Sequence, residues 1–325
     1  MKTEGIAISI GCLTARRCPV CGSGDQGDIF AEAHYDLATL DAYAFASRKM
    51  PEYMRYRLIR CPDCDLVYAS PTPDSGALVR AYANAAFDSG EEAACAARTY
   101  GGLLRRVVRT LPHRDRVVDV GTGDGAFLHE LARAGFRDVV GVEPSAAPIE
   151  ASSPEVRSWI RHGAFREEDF AAESLSLLTC FQTLEHLAEP AALCRSAWRL
   201  LRPGGAVLFV DHDYRGLANR VMGLRSPIID IEHLQLFSRR AMSHMLHACG
   251  FVHTTVHGIV NAYPLHYWLK LMPMPNGVKK TLSGIARRLR VGHVPVPLPV
   301  GNMVAYGYKP EAAAGSARAT RGDVS

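Results

Sequence analysis

Residues 117–131 read VVDVGTGDGAFLHEL, and residues 139–145 read VVGVEPS. Each segment starts with an apolar run typical of a buried strand, and each run ends at an acid, Asp119 in the first and Glu143 in the second. Three glycines follow the first acid at alternate positions, before a helical pattern: Gly121, Gly123 and Gly125. Because glycine lets the backbone approach a ligand closely, the pattern predicts a nucleotide-type ligand at the carboxyl edge of a parallel sheet, with Glu143 accepting hydrogen bonds from a ribose diol.

The spacing of these residues narrows the class of ligand. The glycines follow G-x-G-x-G rather than G-x-G-x-x-G, and a dinucleotide pyrophosphate favours bare N–H groups without a nearby carboxylate. Asp119 suits a ligand with an ammonium or sulfonium group instead. Together these residues resemble motif I and the ribose-binding acid of class I S-adenosylmethionine-dependent methyltransferases. An NAD site or an ordinary strand–turn–helix is the disfavoured alternative.

The resemblance continues in register along the chain. Residues 174–181 are similar to the fourth strand of that family, and QTLEHLAEP, residues 182–190, carries the Glu-His and Glu-Pro pairs that often follow it. A helix ending at LLRPGG and the strand AVLFVD, residues 206–211, come next. The resemblance implies an α/β fold, a Rossmann-like sheet with helices on both faces, and S-adenosylmethionine as cofactor. It also implies that Ala164 and Phe165, after a weakly marked third strand, contact adenine.

Four of the nine cysteines form two C-x-x-C pairs, separated by residues 22–60. Two such turns can direct four thiolates at one ion, the tetrahedral ligand set of structural zinc sites. A redox C-x-x-C normally occurs once, and an odd number of cysteines argues against a disulfide framework. We therefore expect structural Zn²⁺, with no open position for catalysis, in a zinc-ribbon-like module. The expected ligands are Cys18, Cys21, Cys61 and Cys64.

The order of these features predicts three segments. Residues 1–70 hold the four-cysteine module. Residues 71–310 hold the methyltransferase-like domain, with a helical, lid-like insertion near 263–290. Residues 311–325 form a small, polar tail that we expect to be disordered.

Composition agrees with a globular enzyme of 325 residues, 48% hydrophobic and 22% charged. The formal net charge of +4 is too small to argue for a nucleic-acid partner. No apolar run approaches the roughly 18 residues that a membrane span needs. A short apolar patch near the N-terminus contains Glu4 where a signal peptide would be basic, so we expect a cytoplasmic protein.

The segment SPIIDIEHLQLFS, residues 226–238, bears on the acceptor of the methyl group. Its Glu232 and His233, with Phe237 close behind, resemble a segment of the zinc-containing sugar C-methyltransferases of antibiotic deoxysugar pathways, where it lies over the acceptor. The resemblance implies that Glu232 and His233 are catalytic and that the histidine is a base. Alternatively, His233 only closes the loop. The preceding IIDI departs from that family's Tyr- or His-rich stretch, so C- versus O-transfer stays open.

Other polar residues follow the fourth and fifth strands. His186, beside Glu185, is expected to support the turn and the helix start. His212 and Tyr214 lie where acceptor residues often occur, so they are candidates for substrate contact.

Three functions fit this sequence. The favoured one is methylation of a small molecule, such as a sugar nucleotide or another natural-product or polysaccharide intermediate, so the acceptor could be phosphorylated or nucleotide-linked. The second is an RNA methyltransferase with a zinc module, although such enzymes are usually more basic and their modules more compact. The third, a methyltransferase-like binding subunit without catalysis, is disfavoured because the glycines and both acids are intact.

Residues 278–290, VKKTLSGIARRLR, show an apolar helical stripe among basic residues. We favour a helix that packs on the core by this stripe. The alternative is a lid whose basic face meets a phosphorylated substrate or an anionic lipid head group.

Overall fold

The structure is a computed structural model that describes residues 13–24, 27–36, 45, 52–87, 90–272 and 274–311. Most of the N-terminal apolar patch, and the predicted tail beyond Glu311, lie outside the described residues.

Strands and helices alternate through most of the described chain. The strands are β1 (Leu13–Thr14), β2 (Asp28–Ala31), β3 (Leu58–Arg60), β4 (Val67–Ala69), β5 (Thr72–Pro73), β6 (Arg116–Val120), β7 (Asp138–Glu143), β8 (Ile160–His162), β9 (Leu175–Phe181), β10 (Leu201–His212), β11 (Gln235–Leu236), β12 (Val252–Pro264) and β13 (Pro295–Tyr308). The helices are α1 (Ser75–Ala83), α2 (Gly90–Val108), α3 (Leu128–Arg133), α4 (Ala146–Ala151), α5 (Pro154–Arg157), α6 (Pro190–Leu200), α7 (Leu217–Met222), α8 (Arg239–Ala248), α9 (Leu265–Leu271) and α10 (Asn276–Arg288).

The central sheet has the strand order β12-β13-β10-β9-β6-β7-β8. The strands from β10 to β8 in this order pair in parallel, whereas β13 is antiparallel to both β10 and β12. The predicted Rossmann-like α/β fold is confirmed. Because the parallel strands share one carboxyl edge, the loops after β6, β7, β8 and β9 meet there.

Side chains of the central strands alternate between two apolar layers, as the pleat requires. Val118 and its neighbours on one face pack against α6 and α8. Val117 and its neighbours on the other face pack against α2, α3 and α9. Both faces of β6 are therefore buried, which explains its continuous run of valines.

One predicted element has different bounds in the structure. β10 begins at Leu201, inside the LRPGG segment predicted to stop the helix, and its pairing with β9 shifts register between Leu201 and Ala206.

The predicted helical insertion corresponds to α9 and α10, between β12 and β13. The favoured prediction for α10 was wrong, because its apolar stripe is exposed and its buried residue is Ala286. Because alanine is small, α10 can approach the chain beneath it more closely at Ala286 than it could with a larger side chain at that position. Within the described part of the chain, no helix has the length and hydropathy needed to cross a membrane.

The four-cysteine region is joined to the rest of the chain by a second sheet, in the order β11-β4-β3-β2. In it, β4 of the cysteine region pairs antiparallel with β11, which begins two residues after His233. The Arg16 guanidinium adds hydrogen bonds to the carbonyl oxygens of Ala69 (2.8 Å), Ala188 (2.7 Å) and Leu234 (2.9 Å). The cysteine region therefore holds the segment that follows Glu232 and His233.

Candidate functional site

The three glycines between β6 and α3 all have left-handed backbones, with φ of +74° at Gly121, +60° at Gly123 and +73° at Gly125. A Cβ at Gly121 would lie 2.3 Å from Thr183 Oγ1, and one at Gly125 would lie 2.3 Å from Val156 Cγ1. At Gly123 a Cβ would have no heavy atom within 4 Å. Gly121 and Gly125 are therefore required by close packing inside the protein, whereas Gly123 borders open space.

Glu143 ends β7 and lies next to this turn. Its Oε2 accepts a hydrogen bond from the Gly123 N–H (2.8 Å), and its Oε1 accepts one from the Ser145 N–H (2.9 Å). Burial raises the pKa of Glu143, and these two N–H donors oppose that effect. The carboxylate is therefore fixed between two loops at the place where the sequence predicts the ribose.

Asp119 lies in the interior, 3% exposed, at the carboxyl end of β6. Its Oδ1 accepts a hydrogen bond from Thr179 Oγ1 (2.6 Å) on β9. Burial raises the pKa of Asp119 to about 6, against the opposing effect of hydrogen bonds from Thr179 and Thr122. A cation bound beside this carboxylate would stabilise its ionised form.

Two adjoining cavities open along this edge of the sheet. The first cavity is bordered by Asp119, the glycine turn, Glu143 and the inner face of α2. The second cavity is bordered by Ala164 and Phe165, the residues predicted to contact adenine. Both share the following lining residues: Tyr82, Gly121, Pro144, Thr183, His186 and Leu187. All the predicted cofactor residues except Gly125 therefore line one or both of these adjoining cavities, which together form the cleft.

The raised pKa of Asp119 gives a pH dependence for the binding of S-adenosylmethionine, the expected cofactor. The carboxylate attracts a cation only when ionised, so affinity should fall as the pH drops below about 6, roughly tenfold per pH unit where Asp119 dominates. Calorimetric titration across that range measures this. Asp119→Asn should bind weakly at every pH. If the affinity of the unchanged protein does not vary with pH, the assignment of Asp119 to the charged end of the cofactor is contradicted. If S-adenosylhomocysteine shows the same pH dependence, the ammonium group is the partner of Asp119.

His233 is buried and lines neither cavity, but it directly follows Glu232, which lines the first cavity. Its Nδ1 lies 2.7 Å from the carbonyl oxygen of Ile228, so Nδ1 carries the proton and Nε2 carries the lone pair. Nε2 lies 3.8 Å from carboxylate oxygens of both Glu185 and Glu232. Burial, with the neighbouring His186, lowers the pKa of His233 to about 3, so the ring is neutral at physiological pH.

A second set of polar groups surrounds Glu232. Tyr82 Oη lies 2.9 Å from His186 Nδ1 and donates to the carbonyl oxygen of Glu232 at 3.0 Å. His186 Nδ1 lies 3.1 Å from the same oxygen. The His186 and His233 rings are 4.9 Å apart. His186 therefore contacts the Glu232 backbone as well as the turn that it was predicted to support.

Glu185 lies below this set and is fully buried. Its Oε1 is 2.7 Å from His212 Nδ1. Burial alone would raise the pKa of Glu185, but the adjacent His212 and His233 lower it to about 2. Ligand atoms of Glu185, His212 and His233 lie within 4.8 Å of one another. Glu185 Oε1 and His212 Nδ1 lie within ion-pair distance of each other, but neither has a hydrogen-bond partner among the described residues.

The structure places Tyr82 and Tyr214 where the sequence did not predict them. Tyr82 lines both cavities but lies on α1, far from every motif, and nothing in a single sequence marks it. Tyr214, a candidate for substrate contact, donates a hydrogen bond from its hydroxyl to Asp65 Oδ1 (2.9 Å) in the cysteine region. Its side chain packs there and lines neither cavity.

The four predicted metal ligands come together in the structure. Cys18 Sγ lies 3.5 Å from Cys64 Sγ, Cys21 Sγ lies 3.5 Å from Cys61 Sγ, and all four sulfurs lie within 4.8 Å of one another. Zn–S bonds of about 2.3 Å in a tetrahedron place sulfurs about 3.8 Å apart, whereas a disulfide requires about 2.05 Å. Gly22 and Asp65 follow the two pairs with φ of +74° and +67°, so both pairs form similar tight turns. The four thiols fit one tetrahedral zinc ion.

Comparison with known proteins gives a family and several relatives. A family model described as a methyltransferase domain matches residues 92–256, slightly more than half of the chain. A ubiquinone biosynthesis O-methyltransferase of Acinetobacter baylyi is 25% identical over 169 residues, which is 47% of this chain and 71% of that protein. A protein of the same name from Neisseria meningitidis is 32% identical over 101 residues, 29% of this chain. That match spans 42% of the Neisseria protein's length.

Solved structures with a similar fold include a SAM-dependent methyltransferase from Archaeoglobus fulgidus, with a TM-score of 0.45 and 15% identity over 66% of this chain and 94% of that one. Another is a phosphoethanolamine N-methyltransferase of Haemonchus contortus in complex with S-adenosyl-L-methionine, with a TM-score of 0.42 and 16% identity over 65% of this chain and 53% of that one.

Proposed function

Because this chain belongs to the class I S-adenosylmethionine-dependent methyltransferases, we propose that it transfers the methyl group to a small-molecule acceptor bound beside Glu232 and His233. The methylated atom is an oxygen or an enolisable carbon. In this proposal the cofactor lies along the two cavities, with its ribose at Glu143, its charged methionine end near Asp119, and its adenine beside Ala164 and Phe165.

The observation that carries this proposal is the orientation of the His233 ring, whose Nε2 faces the Glu232 side chain at the first cavity. A neutral ring whose Nδ1 donates to the Ile228 carbonyl presents the Nε2 lone pair as a proton acceptor. Glu232, which lines the first cavity, stands 3.8 Å from that nitrogen and would stabilise the imidazolium that forms. A hydroxyl, or a carbon beside a ketone, must lose a proton when it attacks a methyl group, and in this proposal Glu232 passes that proton from the cavity to His233.

The transfer itself is an in-line displacement. The acceptor atom forms a bond to the methyl carbon as the sulfur–carbon bond breaks, and the sulfonium becomes a neutral thioether. The acceptor proton passes to His233 Nε2. Positioning supplies much of the rate, and the fixed carboxylate of Glu143 and the glycine turn provide it for the cofactor.

Two classes of acceptor are consistent with the site. The first is a keto-sugar nucleotide or related natural-product or polysaccharide intermediate, supported by the Glu-His-aromatic segment and the four-cysteine region. The second is a phenolic hydroxyl, supported by the names of the curated relatives and by aromatic residues in the first cavity, including Phe45, Phe87 and Phe181. Incubation with methyl-labelled cofactor and members of both classes, followed by mass spectrometry, tests the proposal. Label in neither class, with salt-sensitive RNA methylation instead, would overturn it.

His233→Ala removes the proposed base. We expect turnover of the acceptor found in that screen to fall by about two to four orders of magnitude. The dissociation constant of S-adenosylmethionine should not change, because His233 lines neither cavity. Single-turnover kinetics and calorimetry measure the two effects separately.

His247→Ala is a matched control, because His247 lies on α8 and its ring contacts only the Thr254 hydroxyl (2.6 Å) among the described residues. This variant should keep full turnover. Normal turnover in His233→Ala would show instead that His233 serves only to close its loop.

We further propose that Cys18, Cys21, Cys61 and Cys64 hold a structural zinc ion. Such an ion supplies folding free energy to the small sheet β11-β4-β3-β2 rather than chemistry, because four thiolates leave no position for water or substrate.

A further inference from the structure

Helix α10 exposes its apolar side chains. At about 100° per residue, Val278, Leu282, Ile285 and Leu289 fall within about 60° of one another on the helix surface. They are 45%, 37%, 50% and 65% exposed. The face turned to the protein carries Lys279, Ser283 and the buried Ala286. Because large apolar residues are normally the ones that a helix buries, the outward stripe needs another explanation.

The charged residues in the stretch that contains α10 are all basic. Residues 233–310 contain nine lysines and arginines, whereas all 33 acidic residues of the chain lie outside this stretch. Four exposed cations belong to α10 or its immediate end: Lys280, Arg287, Arg288 and Arg290. None of the four forms an ion pair with a described residue. The helix therefore combines an exposed apolar stripe with four cations that are not ion-paired within the described part of the chain.

We propose that α10 binds the surface of an anionic lipid bilayer, with its apolar stripe at the boundary between head groups and acyl chains. Amphipathic helices of low mean hydropathy with basic residues beside the stripe bind membranes in this way. At 13 residues, α10 is too short to cross a bilayer. A second copy of this chain fits the surface less well, because packing two such helices together would bring their cations close to one another.

The position of α10 connects this surface with the cleft. The two ends of the α9–α10 insertion contact the start of α2, where His293 Nδ1 lies 3.0 Å from Glu91 Oε1 and His266 Nε2 lies 3.7 Å from Glu91 Oε2. Two residues further along α2, Ala93 lines the first cavity. The insertion that carries α10 is therefore joined to a helix that lines the cavity in which methyl transfer is proposed.

Sedimentation with lipid vesicles tests this inference on the full chain. We expect the protein to bind phosphatidylcholine vesicles that contain phosphatidylglycerol, and to bind pure phosphatidylcholine poorly. Leu282→Ser/Ile285→Ser/Leu289→Ser, which leaves the charge unchanged, should weaken binding at least about tenfold. Lys280→Gln/Arg287→Gln/Arg288→Gln, which leaves the stripe unchanged, should weaken it roughly a hundredfold, and added salt should do the same to the unchanged protein.

Ile29→Ser/Val252→Ser is the matched control, because these residues are 51% and 38% exposed, line neither cavity and lie in other parts of the fold. This variant should bind vesicles like the unchanged protein. No vesicle binding, or equal binding by the α10 variants, would overturn the inference. A dimer that the triple serine variant dissociates would also overturn the inference, because the stripe would then be an interface between two copies. Binding of an acidic protein through the stripe, without binding to vesicles, would overturn it as well. S-adenosylmethionine binding by each variant checks that its fold is intact.

Discussion

In Cys61→Ser we expect the zinc to be lost, the small sheet to open, and methyl transfer to fall with it. Structural zinc contributes on the order of 10 kcal/mol to the folding of small modules, and three thiolates hold it much less tightly than four. The effect should reach the acceptor end of the cleft, because β4 follows the second cysteine pair and pairs with β11, next to His233. Opening β4 removes both that pairing and the Ala69 carbonyl that Arg16 binds.

Metal analysis, hydrogen exchange and turnover measure the three parts of this prediction. Cys95→Ser is the control, since Cys95 is also buried but lies on α2, away from the four-cysteine cluster. It should keep its zinc and lose only about 1 kcal/mol of stability or somewhat more. Unchanged metal content in Cys61→Ser would end the zinc argument. Loss of metal with full turnover would show that β11 holds its position without β4.

Gly123→Val should abolish measurable binding of S-adenosylmethionine while the protein stays folded. The new side chain would project into space that the structure leaves open within 4 Å of the Cβ, on the wall of the first cavity. A ligand in that space would overlap it, and its φ of +60° is strained for a β-branched residue. We expect a loss of roughly 3 kcal/mol or more in calorimetric titration, a hundredfold in affinity.

Gly223→Val separates the effect of overlap with the ligand from the effect of backbone strain. Gly223 has a φ of +57°, and a Cβ there would also have no heavy atom within 4 Å, but this glycine lines neither cavity. The φ angles and the open space around the Cβ are therefore matched, whereas the position relative to the cavity differs. This variant should bind the cofactor normally. Equal loss in both variants would attribute the effect to strain, and normal binding in Gly123→Val would remove the ligand from that wall.

The sequence predicted the cofactor end of the cleft because its determinants are local. Asp119, the glycine turn and Glu143 belong to two consecutive strand–loop units, and parallel strands bring their carboxyl ends together. The pattern therefore predicted both the fold and the placement of these residues at one edge. Two C-x-x-C pairs likewise predicted a four-sulfur cluster despite the long segment between them.

The acceptor end depends on contacts between distant segments, which a single sequence does not display. Tyr82 on α1 reaches the Glu232 carbonyl, and Arg16 reaches Leu234. Tyr214 was predicted from its place after β10, yet Asp65 of the cysteine region binds its hydroxyl. For α10, periodicity identified the stripe correctly but not the side that faces the protein, because the small residues Ser283 and Ala286 lie against the chain instead.

The two backbone N–H groups that bind Glu143 have a consequence for turnover. They hold the carboxylate in one conformation before any ligand arrives, so the loss of side-chain entropy, up to about 2 kcal/mol, accompanies folding rather than binding. A ribose diol is the same in S-adenosylmethionine and in S-adenosylhomocysteine, so a rigid acceptor in the proposed ribose-binding role would bind substrate, transition state and product equally. Such uniform binding strengthens affinity without accelerating the chemical step. Glu143 should therefore favour retention of the spent cofactor, and the proposed enzyme would be subject to inhibition by its own product.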